Sequence, residues 1–299
     1  MKVVTTRAEL ARARAELGTV GLVPTMGYLH EGHLSLVRAA RGANDAVAVS
    51  IFVNPTQFGE GEDFERYPRD PERDLALLAA EGVDLVWVPT VDDVYPPGSA
   101  TRVSVSGITD VLEGASRPGH FTGVATVVAI LLNAPRADRA YFGQKDAQQV
   151  LVVRRMVDDL AIPTRIVTVP TFREADGLAM SSRNVYLDEA QRAGTTALVE
   201  ALRAASREWT AGVRDGAALR AAMNEVLARQ PQARPDYVSV ADPDSLAELD
   251  IVDPARGALC SLAVRFGTTR LIDNLQVLVG PGGGPRETFA EGPAAAPAG

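Results

Sequence analysis

Short apolar runs alternate with amphipathic stretches through the first 173 residues. Val20 to Pro24, Ala46 to Val53, Asp84 to Pro89 and Arg165 to Pro170 read as buried strands. Helical spacing of apolar positions runs through Leu34 to Arg41, Pro71 to Glu81, Val124 to Asn133 and Ala147 to Leu160. That alternation predicts an α/β domain over residues 1–173, a Rossmann-like parallel sheet with helices on both faces. Past Arg173 the pattern changes. Asp188 to Gly212 and Asp215 to Arg229 read as two long helices, and Tyr237 to Ala241, Ala258 to Phe266, Arg270 to Asn274 and Gln276 to Val279 as strands. Helices followed by a small antiparallel sheet predict a smaller α+β domain over residues 174–280. Residues 281–299, rich in Gly, Pro and Ala, are expected to be a flexible tail.

Ligands of such a sheet sit beyond the carboxyl ends of its strands. The most informative segment falls there: V-G-L-V-P-T-M-G-Y-L-H-E-G-H-L, residues 20–34, is a strand, a Pro/Gly turn and the mouth of a helix. Gly27 can take backbone angles closed to other residues and lets a ligand approach the main chain. A helix N-terminus offers unpaired N–H groups and partial positive charge, which suits phosphate. His30 and His33, two of only three histidines, share one helical face with Gly32 between them. Two imidazoles there can donate to phosphate oxygens as charge develops at phosphorus. A zinc site would need two more ligands, and the chain offers only His120 and a single cysteine. That cysteine, Cys260 in A-L-C-S-L-A-V, reads as a small buried hydrophobe.

Charge narrows the partners. A net charge of -8 and a pI near 5.1 argue against nucleic acid or a membrane surface, both of which reward a basic patch. No apolar run spans a bilayer and the start M-K-V-V-T-T lacks a signal-peptide core, so a cytoplasmic protein is expected. All but two of the 30 basic residues are arginine, the exceptions being Lys2 and Lys145. Lys145, in Y-F-G-Q-K-D-A-Q-Q, therefore looks chosen: a compact ammonium on a flexible stem can follow a moving phosphoryl group.

Further polar groups fall at strand ends and turns. Asn54 and Gln57 follow V-A-V-S-I-F-V and suit hydroxyls and carboxylates of a small ligand. Gln149 lies four residues after Lys145 and is expected to share its helical face. R-P-G-H-F-T-G, residues 117–123, fits either a structural turn before a helix or a site. G-L-A-M-S-S-R-N, residues 177–184, reads as a hinge or as a lid bringing Ser181, Ser182 and Arg183 to phosphates.

Taken together, P-T-M-G-Y-L-H-E-G-H-L-S-L, S-I-F-V-N-P-T-Q-F, Y-P-R-D, R-P-G-H-F, F-G-Q-K-D-A-Q-Q and D-G-L-A-M-S-S-R-N resemble the pantothenate synthetase (pantoate–β-alanine ligase) family, from about Val20 to Asn274. H-x-G-H alone points only to the wider nucleotidyltransferase superfamily. The resemblance implies ATP-dependent condensation of pantoate with β-alanine through a pantoyl adenylate, releasing pyrophosphate and AMP, with Mg²⁺ and a homodimer. It implies ATP contacts from Met26, Gly27, Tyr28, Leu29, His30, Glu31, Gly32 and His33, from Gly143, Gln144, Lys145 and Asp146, and from Phe172, Met180, Ser181, Ser182 and Arg183. Among these, His30, His33, Lys145, Ser181, Ser182 and Arg183 would offset charge at phosphorus, with His33 the proton donor. Gln57 and Gln149, with Asn54, would bind substrate. Magnesium ligands are not legible; Asp74 is a candidate. Tyr28, Thr122 and Ala147 depart from the commonest family pattern at positions outside the catalytic set. Two alternatives stay open: an HxGH adenylyltransferase with a different small substrate, and a nucleotide sensor without catalysis.

Overall fold

The computed structural model describes residues 1–279 and 285–287. Residues 1–143 and 148–169 form one compact unit, and residues 144–147 with the chain from Pro170 form a second. The first unit runs β1 (Lys2–Val4), α1 (Arg7–Arg14), β2 (Val20–Thr25), α2 (Glu31–Arg41), β3 (Ala46–Ile51), α3 (Pro71–Ala80), β4 (Leu85–Trp87), α4 (Val91–Val94), α5 (Glu113–Ser116), α6 (His120–Asn133), β5 (Arg139–Gly143), α7 (Ala147–Asp159) and β6 (Arg165–Val169). Its strands form one parallel sheet in the order β1-β4-β3-β2-β5-β6.

Alternation along the central strands puts apolar side chains on both faces. Leu22 and Ala48 join a cluster with Leu10 of α1, Val124 and Leu132 of α6 and Val153 of α7. Val23, Val47 and Val49 join another with Leu36 and Val37 of α2 and Leu78 of α3. Strand order reverses at β2, which lies between β3 and β5. There the sheet splays: β2 pairs with β3 along its whole length, but with β5 only through Gly21–Arg139 and Leu22–Ala140. The carboxyl halves of β2 and β5 are thus unpaired with each other, at the switch point where doubly wound sheets bind ligands.

In the second unit, α8 (Glu189–Gly194), α9 (Thr196–Thr210) and α10 (Gly216–Ala228) precede β7 (Ala233–Ala241), β8 (Ala258–Phe266), β9 (Thr269–Val279) and β10 (Pro285–Glu287). The strands form an antiparallel sheet in the order β10-β9-β8-β7. Leu198, Leu202 and Trp209 of α9 and Leu219 and Met223 of α10 share its core with Leu262, Val264, Leu271 and Leu275.

Three expectations change. The helix read over Asp188 to Gly212 breaks at buried Thr195, whose hydroxyl donates to the Arg192 carbonyl. The two strands read either side of Leu275 are one, because Leu275 itself pairs with Cys260. Residues 285–287 of the expected tail pair with β9, and the rest of 281–299 lies outside the described residues. Among the described residues no helix is long and apolar enough to cross a membrane.

Candidate active site

β2 delivers the chain to a turn held against its own preferences. Gly27 (φ 83°) and Tyr28 (φ 50°) are both left-handed, which for tyrosine costs about 1–2 kcal/mol. Buried Asp74, in the first turn of α3, offsets this: its two carboxylate oxygens accept the Tyr28 and Leu29 N–H groups, each at 2.7 Å. Bonds of this kind, to a charged group, contribute about 1.5–3 kcal/mol each. Burial pushes the Asp74 pKa up, and the two N–H bonds counter part of that rise. A Cβ on Gly27 would lie 3.0 Å from both Asp74 Oδ2 and Ile51 Cγ2, so space as well as φ restricts this position. Both Asp74 oxygens thus accept main-chain N–H groups, which gives this carboxylate a role in holding the turn. Among the described residues no group of three His, Cys, Asp or Glu side chains could hold a metal ion.

The turn ends on His30, the N-cap of α2. His30 Nδ1 accepts the Gly32 N–H at 3.1 Å, and His33 Nδ1 accepts the His30 N–H at 3.3 Å. With both Nδ1 atoms accepting, the proton of each neutral ring sits on Nε2. The rings lie 4.0 Å apart between centroids. A helix N-terminus and two imidazoles with defined tautomers are thus set beyond the strand end, an arrangement suited to an anion.

Beside them lies a relay of amides. Asn54 caps a 3-10 turn over Pro55–Gln57 that follows β3. Gln57 Nε2 donates to the Met26 sulfur at 3.3 Å, and Gln57 Oε1 accepts from Asn54 Nδ2 at 3.0 Å. Asn54 is buried; it also donates to the Gly123 carbonyl and accepts from Thr56 and the Tyr95 hydroxyl. Its amide is spent on holding Gln57 rather than presented to a ligand.

The third histidine takes part as well. His120 Nδ1 donates to the Gln57 carbonyl at 2.8 Å, and its Nε2 accepts from Arg117 at 3.1 Å. Arg117 in turn forms two 2.7 Å bonds to Glu62. Burial and the Arg117 charge lower the His120 pKa to about 4, fixing the neutral ring this geometry needs. Burial opposes ionisation of Glu62, but the bonded Arg117 outweighs it and holds the carboxyl below its ordinary range. R-P-G-H-F-T-G is thus the start of α6 and a support for Gln57. Glu62 was missed in the sequence, where nothing distinguished it from neighbouring acidic residues.

The adjacent glutamines of K-D-A-Q-Q part company. Gln148 is buried and structural, bonding Glu113 N, Ile108 O and Val111 O at 3.0, 2.7 and 2.8 Å, whereas Gln149 is half-buried. Lys145 sits in a separate 3-10 turn, Gln144–Asp146, so the α-helical face it was expected to share with Gln149 does not exist.

In the second unit, Lys145 Nζ lies 3.5 Å from Asp146 Oδ1 with its side chain largely buried. Buried Phe172 starts a small hairpin: Arg173 bridges Ala179, the Met180 N–H reaches the Phe172 carbonyl, and Gly177 takes φ 93° at the tip. Ser181 then caps a 3-10 turn over Ser182–Tyr186, with Ser182 buried. Asn184 donates to Glu174 at 2.7 Å, and Arg192 ion-pairs with Glu174 and Asp176, anchoring M-S-S-R at both flanks.

A parallel sheet opened at its switch point, with H-x-G-H capping a helix there, defines a nucleotide-handling α/β protein. The sequence pattern of the family described as pantoate-beta-alanine ligase matches residues 2–276. A pantothenate synthetase of a Roseiflexus species is 63% identical over 92% of this chain and 98% of its own length. One from Chloroflexus aggregans is 61% identical over 93% of this chain and its full length. The crystal structure of pantothenate synthetase from Thermus thermophilus superposes with a TM-score of 0.88 at 52% identity, over 92% of this chain and 99% of that one. A Francisella tularensis pantoate-beta-alanine ligase, complexed with beta-gamma ATP and beta-alanine, gives 0.77 at 34% identity, over 92% and 97%. The chain belongs to the pantoate–β-alanine ligase family.

Proposed function

We propose that the chain joins (R)-pantoate to β-alanine at the expense of ATP, yielding pantothenate, AMP and pyrophosphate. One observation carries the assignment to this site: the Met26 sulfur, within the phosphate-suited turn, is bonded to the Gln57 amide. A polar group for a small co-substrate thus touches the segment that would hold the nucleotide. The ATP and β-alanine complex of the Francisella relative supports both ligands. The match over nearly the whole chain disfavours an HxGH adenylyltransferase with another substrate.

In the first step a pantoate carboxylate oxygen attacks the α-phosphorus; the bond to the β-phosphate bridging oxygen breaks and pyrophosphate leaves. The β-alanine amine then attacks the acyl carbon, loses a proton and expels AMP. Adenylation is needed because a carboxylate otherwise has only oxide to expel. Met26 to His33 bind ATP, and the Nε2–H groups of His30 and His33 donate to its phosphates, His33 as proton donor. Gly143 to Asp146, Phe172 and Met180 to Arg183 are also assigned to ATP, with Lys145, Ser181, Ser182 and Arg183 offsetting charge. Gln57 and Gln149 hold pantoate, and Asn54 orients Gln57. Mg²⁺ would be held mainly by ATP's phosphate oxygens and waters and would offset their charge. The domain limits at residue 173, a homodimer and a cytoplasmic setting, with neither nucleic acid nor membrane as partner, complete the proposal.

The test is product stoichiometry with ATP, pantoate and β-alanine. AMP and the amide in equal amounts are expected; ADP with the amide would contradict adenylation.

A further inference from the structure

Two adjacent residues in the middle of β9 are polar and buried. Asp273 shares the inward register of Leu271, Leu275 and Val277, whose side chains lie in the core of the second unit. A carboxylate there is costly unless paired. Arg173 pairs with it through two bonds of 2.7 and 2.9 Å, and also donates to the Gly177 carbonyl at 3.0 Å. Asp273 Oδ1 further accepts the Asn274 main-chain N–H at 2.8 Å. Asn274 points away from that core, and its whole amide is used on one short turn. Nδ2 donates to the carbonyls of Gln144 and Lys145 at 2.9 and 2.8 Å, while Oδ1 accepts from Gln144 Nε2 at 3.1 Å. All of these residues belong to the second unit.

Two consecutive main-chain carbonyls meeting one amide group leave the turn little freedom. Few side chains could replace it: the position needs two donors and an acceptor on a short stem, which among the side chains is asparagine's pattern. We infer that Asn274, braced by the Asp273–Arg173 pair, is a positioning residue for Lys145. It holds the backbone from which the ammonium reaches, and the same pair ties down the hairpin that leads into Met180 to Arg183. The inference rests on the proposed assignment of Lys145 to the phosphates of ATP.

The test is pantoate-dependent pyrophosphate–ATP exchange, with ATP affinity measured separately. Asn274→Ala removes both donors and is expected to slow exchange by about 10- to 100-fold, the scale of a misplaced catalytic group. ATP affinity should change less than about threefold, since the change falls on the transition state. Asn274→Asp keeps size and shape but sets one carboxylate oxygen, in place of Nδ2, against two carbonyl oxygens, so it should be slower than Asn274→Ala. On a Lys145→Met background Asn274→Ala should cost nothing further, because independent losses add and shared ones do not. Asn274→Ser, which retains one donor, serves the same comparison if the alanine variant does not fold. An Asn274→Asp enzyme faster than the alanine variant, or equal losses with and without Lys145, would overturn the positioning role alone. Wild-type protein without exchange, or Lys145→Met exchanging at the wild-type rate, would remove the underlying assignment as well.

Discussion

Replacing Gly123 by alanine sets one methyl group against the backbone that carries Gln57. A Cβ built there lies 2.3 Å from the Thr56 carbonyl oxygen, 2.6 Å from its carbon and 2.7 Å from the Gln57 nitrogen. None of these is a side-chain atom that could rotate away. Ordinary contact begins at 3.4 Å, so the oxygen must retreat by 3.4 − 2.3 = 1.1 Å or α6 must move by as much. Overpacking of this kind costs about 1–3 kcal/mol, which in a domain of this size lowers Tm by roughly 2–12 °C. A chemical loss of similar size should accompany it. Misplacing a binding group by about 1 Å costs on the order of 100-fold in rate, or about 2.7 kcal/mol. The assay is steady-state pantothenate formation with pantoate varied at saturating ATP and β-alanine, paired with thermal melts. A depressed Tm with kcat/KM for pantoate within threefold of wild type would refute the assignment of Gln57 to pantoate.

Three other outcomes are expected. His33→Ala should lower the adenylation rate much more than it weakens ATP binding, read by single-turnover kinetics and equilibrium titration; equal losses would assign His33 to ground-state binding. Gly143→Ala meets nothing within 4 Å and needs no positive φ, so stability should hold within about 0.5 kcal/mol. Its KM for ATP should nevertheless rise several-fold if phosphates approach that backbone, and an unchanged KM would remove Gly143 from the ATP site. The third concerns pH. His120 is lowered from 6.5 to about 4 in the folded chain, so the unfolded chain takes up its proton first as pH falls. Stability from the neutral ring is then whole above pH 6.5 and is lost as pH falls towards 4. His120→Asn should flatten that part of the Tm–pH curve; an unchanged slope would place the acid sensitivity elsewhere.

What the sequence revealed followed from periodicity and from rare residues. β2, β3, β4 and β6 stood out as apolar runs, although β6, an edge strand, is only half-buried where a buried strand was expected, and α2, α3, α6 and α7 stood out as amphipathic ones. β1 and β5 did not stand out. The histidine pair and Lys145 were visible because the chain uses so few of either residue. The supports were not visible. Asp74, Glu62 and Asn274 belong to common residue types, and each acts on a partner 45, 55 or 130 positions away in sequence. Contacts of that range depend on topology, which local spacing does not encode. Asp74 shows the consequence: its part in propping the left-handed turn at Tyr28 could not be read from its neighbours in sequence.

Pyrophosphate–ATP isotope exchange, run with purified protein and no amine present, tests the adenylation step most directly. Label from pyrophosphate should enter ATP when pantoate is added and should stay out when pantoate is withheld. Exchange without pantoate, or none with it, would contradict formation of a pantoyl adenylate at the His30–His33 turn.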